Sequence, residues 1–334
     1  MKIVFAHFNS KIPRYLLLNL ERTIQLFPKH NVYLITDQDT SKIKVSNLSV
    51  SKYHPSNAWN ELEKLIDHPK FFRRNFWFTS LARFIAISEF TKTYNEPILH
   101  IESDVIISED FPFEIFSNLN TDFAFPVVNS QLAIASCLYL GGSGAAEKLI
   151  NMTLESASQN NHTTDMYILK KLTEKNSIRF QLLPSSISSK EALDCASSEF
   201  LEETKQALLK FSGVFDGSDI GLYLFGEDPR NNRGFSQLRS RKYINYVNVR
   251  NLIISIKEDR EFPYLLDIEN KKQIPVFALH IHSKNNTLFK LRGAKRLIVK
   301  SVKNSKKKPK TIFVLIKFFW TIKNSIMTRI ARLK

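Results

Sequence analysis

Cysteine is nearly missing from this chain. Cys137 and Cys195 are the only two among 334 residues, too few for a disulfide framework or a cysteine-rich zinc site, and a reducing compartment is the expectation. Long hydrophobic runs are missing too: no stretch reaches the roughly 18 nearly uncharged apolar residues that a spanning helix needs. The opening MKIVFAHFNS has one basic residue and an apolar run too short for a secretory signal, so it is expected to form a first core strand. Phosphate loops of the Gly-x-Gly-x-x-Gly or Lys-Ser/Thr type are absent, and Gly141-Gly142-Ser143-Gly144 reads as a tight strand-to-helix turn. No internal repeat is visible. Acid is absent from the end of the chain: Lys284 to Lys334 carries 16 Lys and Arg and no Asp or Glu, which accounts for the whole net charge of +16. The preceding body is therefore electroneutral, and no basic surface for nucleic acid is expected of it. At 43% apolar and 24% charged, the chain is a folded one.

What is present reads as α/β. Lys2–Phe8 is an apolar strand; Pro13–Phe27 places Leu16, Leu17, Leu20, Ile24 and Phe27 at helical spacing; NVYLIT, from Asn31 to Thr36, is a second strand closing at Asp37. In open α/β sheets ligands bind beyond the carboxyl ends of the strands. His7, Asn9 and Asp37 are thus candidates to meet a nucleoside, although each alone is also an ordinary turn residue. Asn57–His68 and Asn75–Tyr94 read as helices, the second packing Phe78, Leu81, Ala82, Ile85 and Phe90 inward. Arg83 lies in that apolar helix and needs a partner or water.

In PILHIESDVIISEDFP, from Pro97 to Pro112, an apolar run meets the triplet Glu102-Ser103-Asp104. On an extended chain, acids at i and i+2 point to one face and can share a hard divalent cation, Mn²⁺ or Mg²⁺. An acidic strand end simply solvated at the surface is the bland alternative. Strands at Phe123–Val128 and Ile134–Leu140 follow, then a short helix over Thr163–Leu172, where Thr163 or Thr164 caps and Asp165 falls in the first turn. FDGSDIGLYLFGEDPRNNRG, from Phe215 to Gly234, is dense in turn residues and brackets a short helix, with Asp216 and Asp219 at its start. Tyr264–Glu269 and Pro275–Ser283 pair as strands, and PVFALHIHS is expected to put His280, His282 and Lys284 on one face.

In this order the pieces resemble nucleotide-sugar-dependent glycosyltransferases of the GT-A fold, related to the bacterial DXD-motif sugar-binding families. The resemblance rests on the first strand-helix-strand, TSLARF (Thr79–Phe84), LHIESDV, Thr164-Asp165-Met166, FDGSDIGLYLFGEDPRN and LHIHSK, and spans roughly residues 1–284. It implies a mixed, Rossmann-like sheet flanked by helices, with Asp104 the principal metal ligand and Glu102 the first acid, contacting metal, ribose or sugar. His282 or His280 would complete the metal site, Lys284 would hold the departing diphosphate, and Arg83 would contact donor phosphate or sugar. Asp165 would approach the transferred sugar or acceptor. The first acid is Glu where the family usually has Asp. If the reaction inverts, Asp165, Asp216 and Asp219 are the candidate general bases.

Past Lys284 the composition changes. Residues 285–310 are expected to form a basic helix and linker, and 311–334 an amphipathic helix with Ile312, Leu315, Ile316, Phe319, Ile322, Ile326, Ile330 and Leu333 in one stripe. A basic amphipathic helix with Phe and Trp suits an anionic membrane surface, with nucleic acid disfavoured because the aromatics stand within the apolar run. The expectation is a metal-dependent hexosyltransferase, cytoplasmic and peripheral to the inner face of the membrane, moving sugar from a nucleotide-sugar donor to a cell-envelope glycan or lipid-linked acceptor. A metal-dependent nucleotidyltransferase or phosphohydrolase, or a non-catalytic nucleotide- or glycan-binding module, is the alternative.

Overall fold

The computed structural model describes residues 1–305 except 42, 68–74, 129–131, 189–196, 227, 229–248, 250–251, 258, 268–269 and 292–293. The stripe expected over 311–334 lies outside these residues, as does Cys195. The chain opens with β1 (Lys2–His7), α1 (Arg14–Leu26), β2 (Val32–Thr36), β3 (Leu48–Lys52), α2 (Asn57–Leu65), α3 (Phe76–Tyr94), β4 (Ile98–Ile101) and β5 (Val105–Ile107). It continues through α4 (Phe113–Ser117), β6 (Phe123–Val127), β7 (Cys137–Leu140), α5 (Ser143–Gln159), α6 (Asp165–Glu174), β8 (Phe180–Pro184), α7 (Ser198–Phe211), β9 (Val214–Phe215) and α8 (Asp219–Phe225). The last elements are β10 (Ile253–Ser255), β11 (Tyr264–Asp267), β12 (Lys272–His280), a 3-10 turn (Asn286–Phe289) and α9 (Ala294–Ser305).

Seven strands form one mixed sheet in the order β3-β2-β1-β4-β7-β6-β8. The first four run parallel, and β7 pairs antiparallel with both β4 and β6. Strands covered on both faces read as continuous apolar runs, and β4, β6 and β7 are buried at every position. Alternation along β1 sends Ile3 and Phe5 toward α1 and Val4 and Ala6 toward α3. Helix α3 is apolar nearly all round because it is a buried helix: Phe84, Ile87 and Thr91 are buried along with the five inward residues expected.

The strand order turns back on itself at β1, with β2 on one side and β4 on the other, and such a reversal opens a crevice beyond the strand ends. At this crevice the chain changes sheets. Strand β4 ends at Ile101, and β5 belongs to a second sheet in the order β10-β11-β12-β5. The apolar stretch around the acids is thus two strands joined by a turn, in which Val105 N–H donates to Glu102 O at 3.0 Å. Strand β12 pairs antiparallel with β5, setting His280 opposite Val105. Leu288, Phe289, Ala294, Ile298 and Val302 are buried in the core that also holds α3, while Lys295, Arg296, Lys300 and Lys303 of α9 face solvent. No helix among the described residues is long and apolar enough to cross a membrane.

Candidate functional site

The crevice between β1 and β4 is a polar cleft of about 290 Å³. His7 and Phe8 reach it from the end of β1, Thr79, Ser80 and Arg83 from α3, and Glu102 to Asp104 from the β4–β5 turn. Asp165 at the start of α6, Asp228, His280 at the end of β12, and His282 and Lys284 just beyond it also stand in the wall.

The acidic turn is held from three sides. Asn19, fully buried on α1, donates through Nδ2 to Val105 O at 2.7 Å and Ser103 O at 3.3 Å. On the other side Ile281 N–H donates to Asp104 O at 2.7 Å, so the turn carrying the histidines is stitched to the turn carrying the acids. Below, Arg83 donates to Glu102 Oε1 at 2.5 Å and to Asp165 Oδ2 at 3.0 Å. That is the partner the lone arginine of α3 required. Burial alone would lower the Arg83 guanidinium, but Glu102 and Asp165 outweigh it and push it up; burial pushes the Asp165 carboxyl up against the pull of Arg83. Thr164 caps α6, its hydroxyl accepting from Tyr167 N–H.

Above the acids stand the histidines. His280 Nδ1 lies 2.7 Å from Gly217 O and must donate to it, which leaves Nε2 facing Asp104 Oδ1 at 3.3 Å and Glu102 Oε2 at 3.6 Å. Burial would lower His280, and the Asp104 and Glu102 carboxylates more than offset this, pushing it up to about 9. His282 is not on a strand face with His280, as alternation predicts. The strand stops at His280, and a turn closed by Lys284 N–H to Ile281 O at 2.9 Å stacks the two imidazoles at 3.9 Å between centroids. Burial, then the neighbouring His280, holds His282 well below the ordinary imidazole range. Its Nε2 is buried and has no hydrogen-bond partner among the described residues. Lys284 sits in the left-handed region, φ 51°, and places Nζ 2.7 Å from Asp104 Oδ2 and 3.5 Å from Asp228 Oδ2. Burial would lower this ammonium, and Asp104 above all raises it to about 12. Burial raises the Asp104 carboxyl less than Lys284, His280 and His282 lower it, so it stays well below the usual carboxylate range.

Ligand atoms of Asp104, His280 and His282 lie within 4.8 Å of one another. Among the described lining residues, four carboxylates (Glu102, Asp104, Asp165, Asp228) face two permanent cations, Arg83 and Lys284. With the imidazoles neutral, two negative charges are left over, the charge of one divalent cation. Together with the buried, unpartnered His282 Nε2, the residues fit such an ion.

The other expected residues are distributed as follows. His7 lines the cleft, its Nε2 2.9 Å from Ser10 O, and burial lowers its pKa. Asp37 stands outside the wall and takes Asn9 N–H at 3.0 Å, holding the loop after β1, where Asn9 has φ 58°. Asp216 is buried behind His280: its Oδ1 accepts from Ile220 N–H and its Oδ2 from Gly221 and His280 N–H, all within 3.1 Å. Burial raises its pKa. Asp219 is buried in the first turn of α8, also outside the cleft wall. Two further residues belong to the site without a motif that marks them, Asn19 and Asp228. Asn19 leaves one signal, an amide between Leu16 and Leu20 on the inward side of the helix; Asp228 lies in the turn-dense stretch without distinction from its neighbours.

No protein-family model matches the chain, and no curated protein matches it. Solved structures resemble it at low identity. The galactosyltransferase LgtC, in complex with donor and acceptor sugar analogues, is 12% identical, with TM-score 0.40 over 54% of this chain and 73% of its own. Mouse xyloside xylosyltransferase 1 is 7% identical, with TM-score 0.38 over 63% of this chain and 92% of its own. The glycosyltransferase GlyE of Streptococcus pneumoniae is 18% identical, with TM-score 0.33 over 57% of this chain and 46% of its own. At these scores the side chains of the cleft carry the function.

Proposed function

We propose that this chain is a metal-dependent glycosyltransferase of GT-A type that moves a sugar from a nucleotide diphosphate donor to a glycan or lipid-linked acceptor of the cell envelope. One observation carries the reading: Asp104, His280 and His282 converge at ligand distance beside Lys284, in a cleft where, with the histidines neutral as ligands, the described carboxylates exceed the fixed cations by two. Asp104, with Glu102 and the two histidines, would hold Mn²⁺ or Mg²⁺. A divalent ion there supplies positive charge to the diphosphate as the sugar-phosphate bond breaks.

The chain's own residues do the rest. Lys284 offers an ammonium to the departing phosphates, and its position on Asp104 keeps it within reach of the same oxygens. Arg83 ties Glu102 and Asp165 together through its two terminal nitrogens, so the transferred sugar meets a braced carboxylate and guanidinium. Asp165 is the one of the three candidate acids that lines the cleft, and it is the residue to meet the sugar or the acceptor hydroxyl. His7 and the loop that Asp37 shapes lie where the nucleoside would enter. Asp216, buried behind His280 and outside the cleft wall, accepts backbone N–H groups on both oxygens and is read as a positioning residue.

Membrane attachment is part of the same proposal. Helix α9 turns Ala294, Ile298 and Val302 inward and Lys295, Arg296, Lys300 and Lys303 outward, and the basic sequence continues to Lys334. Each cation near an anionic leaflet adds about 1 kcal/mol. A cytoplasmic protein peripheral to the inner face of the membrane follows, with 1–284 the catalytic part.

The test is a thermal-shift panel of nucleotide sugars with and without Mn²⁺ on the full chain. Stabilisation that needs both metal and one donor, with nucleoside diphosphate as product, supports the proposal. Absence of any metal-dependent donor response overturns it, and release of nucleoside monophosphate identifies a nucleotidyltransferase or phosphohydrolase instead.

A further inference from the structure

Helix α3 brings four residues to the cleft at positions 76, 79, 80 and 83, the i, i+3, i+4, i+7 face of a helix. Three are polar. The outermost, Phe76, is an aromatic ring left 38% exposed in the cleft wall, whereas Phe8, the other phenylalanine there, is buried. Singly exposed aromatics are ordinary on a surface. This one differs because it shares its helix face with Arg83 and stands seven residues, about 10 Å of helix, farther out. Its ring is braced edge-on by Trp77, with centroids 5.2 Å apart. Below it, Thr79 and Ser80 both donate their hydroxyl hydrogens to the Phe76 carbonyl, leaving oxygen lone pairs turned outward as acceptors.

A flat apolar face above hydroxyl and carboxylate acceptors matches a pyranose, which has one face of C–H groups and a rim of hydroxyl donors. The positions along α3 order the cleft. Diphosphate belongs at Lys284 and Asp104, the transferred sugar at Arg83 and Asp165, and a second ring beyond that sugar falls at Phe76. We propose that Phe76 is the stacking platform of the acceptor subsite, and that the acceptor presents a sugar ring there, not a bare lipid phosphate or a polypeptide side chain. This rests on the glycosyltransferase reading, and the experiment separates the two.

The full chain with Mn²⁺ and UDP or GDP is examined by saturation-transfer NMR against lactose, cellobiose and chitobiose, with a Ser/Thr-rich peptide alongside. The ring C–H protons of at least one disaccharide should receive saturation. That signal should fall about fivefold in Phe76→Leu, which keeps apolar bulk but loses the ring, and persist in Phe76→Trp, the scale expected of one aromatic contact. Tyr94→Ala, an exposed aromatic at the far end of α3, should change nothing. The nucleoside diphosphate signal reports folding and donor binding in every variant. Its absence from the parent protein counts against the glycosyltransferase reading; its presence with no disaccharide signal, with a signal undiminished in Phe76→Leu, or with the peptide alone bound, overturns the acceptor subsite.

Discussion

Lys284 and Asp104 are 180 positions apart in the chain, yet the ammonium donates to Asp104 Oδ2 at 2.7 Å. The other oxygen, Oδ1, is turned to His280. One carboxylate thus divides its two oxygens between a fixed cation and the imidazole nitrogen proposed to ligate the metal. Lys284→Ala is expected to lower turnover about 10²–10³-fold, the usual cost of losing one donor to a developing anion. Mn²⁺ binding should survive it. Asp104→Ala should abolish both, and calorimetric titration with Mn²⁺ beside steady-state kinetics distinguishes the two patterns.

Arg83 is the sole described link between Glu102 and Asp165, and all three side chains are largely buried. Arg83→Ala leaves two carboxylates facing each other without a cation and is expected to cost about 3–5 kcal/mol in urea unfolding. Arg83→Lys keeps the charge but cannot fork to both acids, so it should recover only part of that loss. A cycle pairing Arg83→Met with Asp165→Asn should fall well short of additive.

Much of this arrangement is legible in the sequence, because buried strands and buried helices announce themselves by composition. Strands β1, β2 and β4 and helix α3 are found within a residue or two of where their apolar runs end. The half-exposed edge strand LSVSK of β3 has no such run. Both functional triplets are expected to be extended, and both are turns. Acid-x-acid and His-x-His return side chains to a common side either on a strand or around a tight turn, and the choice is made by pairing: His280 ends its strand because Val105, opposite, begins one. The amide of Asn19 finds its carbonyl 86 residues away, a partner no local pattern announces.

The acids also set a pH response. His280, raised to about 9 in the fold from an ordinary 6.5, binds more protons folded than unfolded between those values. The stability it contributes is therefore full below about 6.5 and is lost as pH rises toward 9. Metal-free protein should show a thermal midpoint that declines across this window, and His280→Gln should flatten the decline. His282, held well below its ordinary range in the fold, acts in the opposite sense: only the unfolded chain takes up its proton near 6.5, so its contribution rises with pH at the acid end of the window and is flat above it.

Gly221 shows how tightly the histidine is seated. A Cβ there would lie 1.9 Å from His280 O and 3.0 Å from Asp216 Oδ2, so α8 approaches β12 only because position 221 has no side chain. Gly221→Ala must push the helix off the strand, loosening Asp216 from His280 N–H and Gly217 O from the ring. The expected cost is about 1–3 kcal/mol of stability, the range for overpacking a filled core. Mn²⁺ affinity should fall with it, since the imidazole loses the contact that aims Nε2 at Asp104. Gly144→Ala, where a Cβ meets nothing within 4 Å in the first turn of α5, should leave both unchanged. Equal losses from the two substitutions would mean that His280 is not held by the packing of α8. A loss confined to Gly221→Ala, recovered in part by excess Mn²⁺, would show the helix and the metal fixing the same ring.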